Sequence, residues 1–287
     1  MTSSFEIVDV VELSTDQILG VINTAFGRSA TADWYRWKHC EGPWGPSVGV
    51  AAVDRSGPIG VRLLLPWRLR RGEASFTGHR ATEAATVPRA QGRGVFTALN
   101  RWMMEEMRSD LIFSTPNLNS RGGYLKLGWH EIARVPHRWE VASRPFSDAV
   151  VTATSQDALR TDWDPDALQW RSDPRCGRTY QAVRADDAVL YYRVLRRWRV
   201  PVVAPMGSLG DPPRLAQLWR EMLGRTRARL VLRPATQPAP DRRLRLAVQR
   251  GESLVLGWSS GTGSSLEARG DVMATVPWSA ADIEGVI

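Results

Sequence analysis

Thr86-Val87-Pro88-Arg89-Ala90-Gln91-Gly92-Arg93-Gly94-Val95-Phe96-Thr97 is the stretch on which the reading of this chain turns. A run of β-forming residues ends at Val87, and Pro88 stops it by withdrawing a backbone donor. A basic loop with two glycines follows, and then Val95, Leu99, Trp102, Met103 and Met107 recur at helical spacing. A strand is thus joined to a helix N-terminus through a short glycine loop. The first turn of a helix has N–H groups without internal partners, at the positive end of the helix dipole. Glycine lets that backbone approach an anion closely, which suits a pyrophosphate. Arg89 and Arg93 add positive charge beside it.

Upstream, residues 5–13 (FEIVDVVEL) alternate apolar and acidic positions and predict a strand. Ser14 and Asp16 open a helix that runs to about Phe26 and stops at Gly27. Residues 30–39 predict a second short helix, rich in Trp and Tyr, and the two prolines and two glycines of 41–46 impose a loop. Strands at 48–53, 59–70 and 75–87 with turns between them form a meander. Downstream of the helix at 94–108 come a short apolar strand at 111–114 and a helix at 119–126 closed by Gly128. One or two strands follow at 129–141.

A boundary is expected at Ser143-Arg144-Pro145, giving domains 1–143 and 144–287. Beyond it the pattern recurs. Trp170 is followed by a Gly/Pro loop, the strands TYQAVRAD and AVLYYRVLRRWRV, a strand ending at Pro205, a glycine-containing loop, a helix from about Pro213 to Gly224 and the strand RLVLRPA. The same order of elements in the first half points to a weak internal duplication. The loop equivalent to 88–94 reads Met206-Gly207-Ser208-Leu209-Gly210-Asp211-Pro212-Pro213. Its acid repels phosphate and its prolines lack donors, so the second half is expected to hold no cofactor.

The chain has 287 residues, 43% hydrophobic and 24% charged, which suits one large or two smaller packed domains. No apolar run is long enough to cross a bilayer, and the N-terminus has no secretory pattern. The two cysteines, Cys40 and Cys176, form neither a disulfide framework nor a zinc spacing. A cytoplasmic location fits, with no membrane partner and no metal. The net charge of +8 is spread along the chain without like-charge blocks, so it suits an anionic small ligand better than nucleic acid.

Gln91-Gly92-Arg93-Gly94, with Pro88 before it and Tyr124-Leu125-Lys126-Leu127-Gly128-Trp129 about thirty residues later, resembles the GNAT (Gcn5-related N-acetyltransferase) superfamily. The first segment resembles that family's Q/R-x-x-G-x-G/A loop for acetyl-CoA and the second its Y-x-K-L-G-F helix ending. The resemblance covers about residues 5–141. Phe96 departs from it, since Gly or Ala is usual at that position, and a large side chain there could narrow the pyrophosphate site. A bacterial subset with G-[IV]-F at this point shares the feature, and its members are often two-domain proteins linked to sugar or secondary-metabolite amines.

The resemblance implies an α/β fold of the α+β mixed-sheet kind, in the GNAT pattern, with a second, degenerate GNAT-like half. It also implies acetyl-CoA as cofactor, with pantetheine paired to the backbone of Thr86 and Val87 in a gap between two splayed strands. The pyrophosphate would sit on the loop Gln91, Gly92, Arg93, Gly94, Val95 and Phe96, with Thr97 and Asn119 adding polar contacts. The implied reaction is direct attack of a primary amine on the thioester. It needs a base for the ammonium and an acid for the departing thiolate; Glu83, on the strand entering the loop, and Tyr124 are the candidates. Asp33 and Glu41 are second choices for the base. Glu41 and Trp44 are expected to contact the acceptor, a small-molecule amine of the amino-sugar or natural-product kind. The alternative is a non-catalytic CoA-binding or assembly module, and a homodimer is compatible with either. His39, His79, His130 and His137 show no ligand spacing, and Cys40 is expected to be a small buried thiol.

Overall fold

The alternation in residues 5–13 is divided between two elements in the computed structural model, which describes residues 5–107, 111–141, 160–197, 199–234 and 248–258. Strand β1 (Glu6–Asp9) stops where the Asp9 carboxylate accepts from the Val11 amide at 2.9 Å and Glu12 accepts from the Asp9 amide at 3.2 Å. This capping box closes a 3-10 turn over Val10–Glu12. The strand expected to reach Leu13 is therefore shorter, because local carboxylates offer the backbone an alternative to the ladder.

Helix α1 (Thr15–Phe26) starts in a reciprocal cap between Ser14 and Gln17 and ends at Gly27 with φ of 60°. It buries Ile18, Leu19, Val21 and Ile22. The segment expected as one helix over 30–39 is α2 (Ala32–Tyr35), capped by Thr31, continued as a π-helical turn over Arg36–Cys40. That wider turn buries Trp37, Lys38 and His39 together.

Strands β2 (Val48–Asp54), β3 (Gly57–Arg71) and β4 (Ala74–Thr86) form the meander. β1 and β3 flank β2, both antiparallel to it. Helix α3 (Val95–Glu106) lies close on β3: a Cβ added at Gly60 would come within 2.5 Å of Val95 Cγ1. The buried residues of α1, β2, β3 and the start of α3 make one core. Strand β5 (Leu111–Ser114) runs parallel to β4, and helix α4 (Leu118–Lys126) follows.

The chain forms two compact units. The first comprises residues 1–68, 76–131 and 256–264, and the second residues 69–75, 132–255 and 265–287. The boundary expected at Ser143 lies outside the described residues. In the first unit the order is β1-β2-β3-β4-β5, and Leu256–Trp258, the end of β12 (Val248–Trp258), pairs antiparallel with β5.

The second unit contains β6 (His130–Val141) from its third residue on, β7 (Arg160–Thr161), α5 (Pro165–Arg171), β8 (Gln181–Ala185) and β9 (Ala188–Arg197). β10 (Val200–Leu209), α6 (Pro212–Thr226) and β11 (Leu230–Pro234) complete it. Its strand order is β6-β11-β10-β9-β8. A helix, an antiparallel three-strand meander, a helix and a strand parallel to the meander's last member therefore occur in each unit. β10 continues past Pro205, where the sequence suggests a stop, because a register shift between Pro205 and Gly207 absorbs the missing donor.

Candidate active site

Pro88–Ala90 forms a 3-10 turn after β4, and the chain reaches α3 through Gly92 with φ of 77° and Gly94 with φ of 82°. Both lie in the left-handed region that a side chain disfavours. Gly94 is the N-cap of α3 and no side chain caps that end. A Cβ added to either glycine would meet nothing within 4 Å, so the loop's outer face is open space. The amides of Val95, Phe96 and Thr97 therefore start the helix without a side-chain cap, as an anion site requires.

Asp54, at the end of β2, accepts from Arg93 Nη1 at 3.0 Å and lies 3.6 Å from Arg89 Nη1. Hydrogen bonds from Ser56, then from Arg93, and the charge of Arg89 hold its carboxyl down at about 2. The loop's two cations are thus anchored beside the helix end. Gln91 Nε2 donates to the Thr86 carbonyl at 3.4 Å, tying the loop to the end of β4.

The pairing of β4 with β5 spans Gly78 to Arg80 opposite Leu111 to Phe113. Beyond it, Ser114 Oγ donates to the Ala81 carbonyl at 3.3 Å, and Arg80 Nη2 donates to Thr115 Oγ1 at 3.2 Å. Glu83 then adopts φ of 43°, a left-handed conformation rare in a non-glycine strand residue. The resulting kink in β4 lies just where the ladder to β5 has ended. Val87 uses both its backbone groups within the fold, its N–H donating to Ile59 O and its carbonyl accepting from Ala90 N, each at 2.9 Å. Backbone groups of successive strand residues face opposite edges, so those of Thr86 face away from β3.

Phe96 turns away from the open face of the loop. Its ring stands edge-on to Tyr124, centroids 5.3 Å apart, and a Cβ at Gly123 would come within 2.7 Å of it. Gly123 on α4 is thus the partner of the bulky Phe96, a pairing between distant positions that sequence spacing alone does not show. Tyr124 is 2% exposed. Trp129 packs 4.7 Å away, and the Arg62 guanidinium lies over the Tyr124 ring at 5.3 Å. Arg62, itself 1% exposed, donates to Thr82 O from Nη1 at 3.4 Å, while its Nε and Nη2 find no hydrogen-bond partner among the described residues. Asn119 is exposed in the first turn of α4, and Asn117 provides that helix's cap.

Glu83 is buried, and its Oε1 lies 3.1 Å from both Arg28 Nη2 and Lys38 Nζ. Its Oε2 faces His39 Nε2 at 3.5 Å. His39 Nδ1 in turn lies 2.9 Å from Ser47 Oγ. Arg28 stacks over Phe26 and Trp34, and Lys38 over Trp34. The sequence reading missed this cluster because its members sit at four separated positions. The π-helical turn that buries Lys38 and His39 carries no sequence signature of its own.

Of the other candidates, Glu41 is exposed and Asp33 pairs with Arg36 at the surface. Trp44 packs edge-on against the buried Trp67, 5.1 Å between centroids. Cys40 is exposed, which corrects the expectation of a buried thiol. The π-helical turn directs Trp37, Lys38 and His39 inward and leaves Cys40 at its outer end. His79 is buried and its pKa is lowered by that burial, while His130 is exposed.

No family model and no curated protein matches the sequence. Solved structures do. A GCN5-related N-acetyltransferase from Kribbella flavida is similar at a TM-score of 0.66 and 17% identity, over 89% of this chain and 71% of that one. A GCN5-related N-acetyltransferase from Anabaena variabilis is similar at 0.65 and 12% identity, over 88% and 72%. A conserved Enterococcus faecalis protein described as a probable N-acyltransferase is similar at 0.67 and 9% identity, over the same shares. At these identities the likeness is one of fold. With a helix end opened by glycines after a kinked β4, and with these neighbours, the chain has the fold of the GCN5-related N-acetyltransferases.

Proposed function

We propose that the first unit is an acetyl-CoA-dependent N-acetyltransferase acting on a primary amine of a small molecule, an amino sugar or natural-product amine. The observation that carries this is the uncapped start of α3, opened by Gly92 and Gly94 directly after a β4 that runs on past its last pairing with β5. The residues fit acetyl-CoA. The amides of Val95 to Thr97 offer donors to a pyrophosphate, and the backbone of Thr86 offers a strand edge to the amides of pantetheine. Gln91, Arg93 and Asn119 border the same loop and helix ends. When bound, the thioester supplies the acyl group.

The chain's own residues hold and move protons. Tyr124, packed between Phe96 and Trp129, gives its phenolic proton to the leaving sulfur. Glu83 is the carboxylate toward which the amine's proton moves. Glu41 and Trp44, in the loop after the π-helical turn, border the acceptor. A screen of amines with acetyl-CoA, reading released thiol, tests the reading. Amine-dependent thiol release supports it, and none across amino sugars, aromatic amines and amino acids contradicts it.

One observation favours a second reading, a module that binds CoA without turnover. The Glu83 carboxylate is already engaged by Arg28 and Lys38. In that case calorimetry shows CoA binding while the screen shows no thiol release.

A further inference from the structure

Glu83 stands on the kinked strand at the candidate site, yet neither of its oxygens is open to an amine. Oε1 is shared by Arg28 and Lys38, and Oε2 is shielded from solvent and faces His39. The His39 ring is fully buried, and its other nitrogen points to Ser47, which is half-buried in the loop carrying Glu41 and Trp44. The Ser47 amide also donates to the His39 carbonyl at 2.8 Å, which fixes the two residues against each other. Carboxylate, imidazole and hydroxyl therefore follow one another at 3.5 Å and 2.9 Å, from the interior to the loop. They come from three elements: β4, the π-helical turn and the loop before β2.

We propose that Ser47, His39 and Glu83 form a proton relay through which the acceptor amine is deprotonated, with Ser47 as the group that meets the amine. This rests on the acyl-transfer reading above. The carboxylate sets the tautomer. The negative charge of Glu83 Oε2, 3.5 Å from Nε2, favours the ring proton on that nitrogen, which leaves the Nδ1 lone pair to accept from the Ser47 hydroxyl. As the ammonium N–H breaks, its proton goes to Ser47 Oγ, and the proton Ser47 held passes to His39 Nδ1. The transferred proton then rests on the His39–Glu83 pair, and no covalent bond to the enzyme forms. His39 and Glu83 act through Ser47 and are positioning residues.

The titratable groups packed on His39 are Glu83 from β4 and Tyr35 from α2; Lys38 and Arg28 reach the cluster through Glu83, and Cys40, next in the chain, is exposed. Tyr35 is pushed up to about 12, by burial first and then by Cys40 and Glu83, so it stays neutral at working pH.

The test uses the full chain with acetyl-CoA and, as probe amines, tryptamine and glucosamine. Ser47→Ala and His39→Gln are each expected to leave CoA affinity unchanged in calorimetry and to lower the acetylation rate at neutral pH by about 10²-fold. The loss shrinks as pH rises toward the amine's own pKa, because the neutral amine then arrives already deprotonated. Nitrogen-15 NMR of the histidines, with His39 assigned by comparison with His39→Gln, is expected to show His39 neutral with its proton on Nε2. Ser47→Ala should shift its Nδ1 signal. An unchanged or pH-independent rate in Ser47→Ala overturns the proposal, as does an acetyl adduct on Ser47 or a His39 proton on Nδ1. If the unaltered chain acetylates neither probe, it is the acyl-transfer reading that fails for those amines, and the NMR tautomer alone decides the relay.

Discussion

Helix α3 begins at Gly94 and helix α6 at Asp211, and each follows the last strand of an antiparallel three-strand meander. In α6 the helix start is closed from within. Pro212 and Pro213 have no N–H, and the Asp211 carboxylate takes the Arg214 amide at 2.8 Å. In α3 the corresponding donors, on Val95, Phe96 and Thr97, are present and have no side-chain cap. Arg89 and Arg93 stand beside the α3 loop, whereas α6 begins with a carboxylate. Two junctions with the same order of elements thus differ in whether the chain itself caps the helix start. Shared architecture does not carry a site; the residues at the junction decide it.

The largest effect is expected at Gly94. Gly94→Glu places a side chain on a backbone with φ of 82° and a negative charge at the helix end. CoA binding is expected to fall below detection in calorimetry, and retained affinity would move the site elsewhere. Next comes Tyr124→Phe, which keeps the ring contacts with Phe96, Trp129 and Arg62. Its turnover is expected to fall by roughly 10²–10⁴-fold with CoA affinity intact; near-normal turnover would retire the acid role.

The third variant, Gly123→Ala, sharpens the account of the Phe96 departure. Its new methyl meets the Phe96 ring at 2.7 Å, and overpacking of this kind costs about 1–3 kcal/mol, read as a lower denaturation midpoint. A stability equal to that of the unaltered chain would show that Phe96 has room to move. The smallest effect belongs to Asp211→Ala. Loss of that cap costs about 1 kcal/mol of stability, and CoA binding should be untouched.

The meander, the glycine loop and helix α3 were legible because each has a local signal: proline and glycine at the turns, helical apolar spacing, and a strand ended by Pro88. Helix α1 was legible for the same reason, since Ser14, Asp16 and Gly27 mark its ends. What stayed hidden depends on contacts between distant residues. The Glu83 cluster draws on Arg28, Lys38, His39 and Ser47, and only folding brings them together. The left-handed Glu83 has no turn residue to announce it. Gly123 reads as an ordinary helix glycine until Phe96 is placed against it. The continuation of β10 beyond Pro205 needs a bulge that the sequence does not mark.

Of the two junctions, the one at Gly94 is expected to bind acetyl-CoA and the one at Asp211 is not. Calorimetric titration of acetyl-CoA into the full chain tests it most directly. One equivalent per chain, retained in Asp211→Ala and lost in Gly94→Glu, is the predicted result. Two equivalents, or one that survives Gly94→Glu, would contradict it.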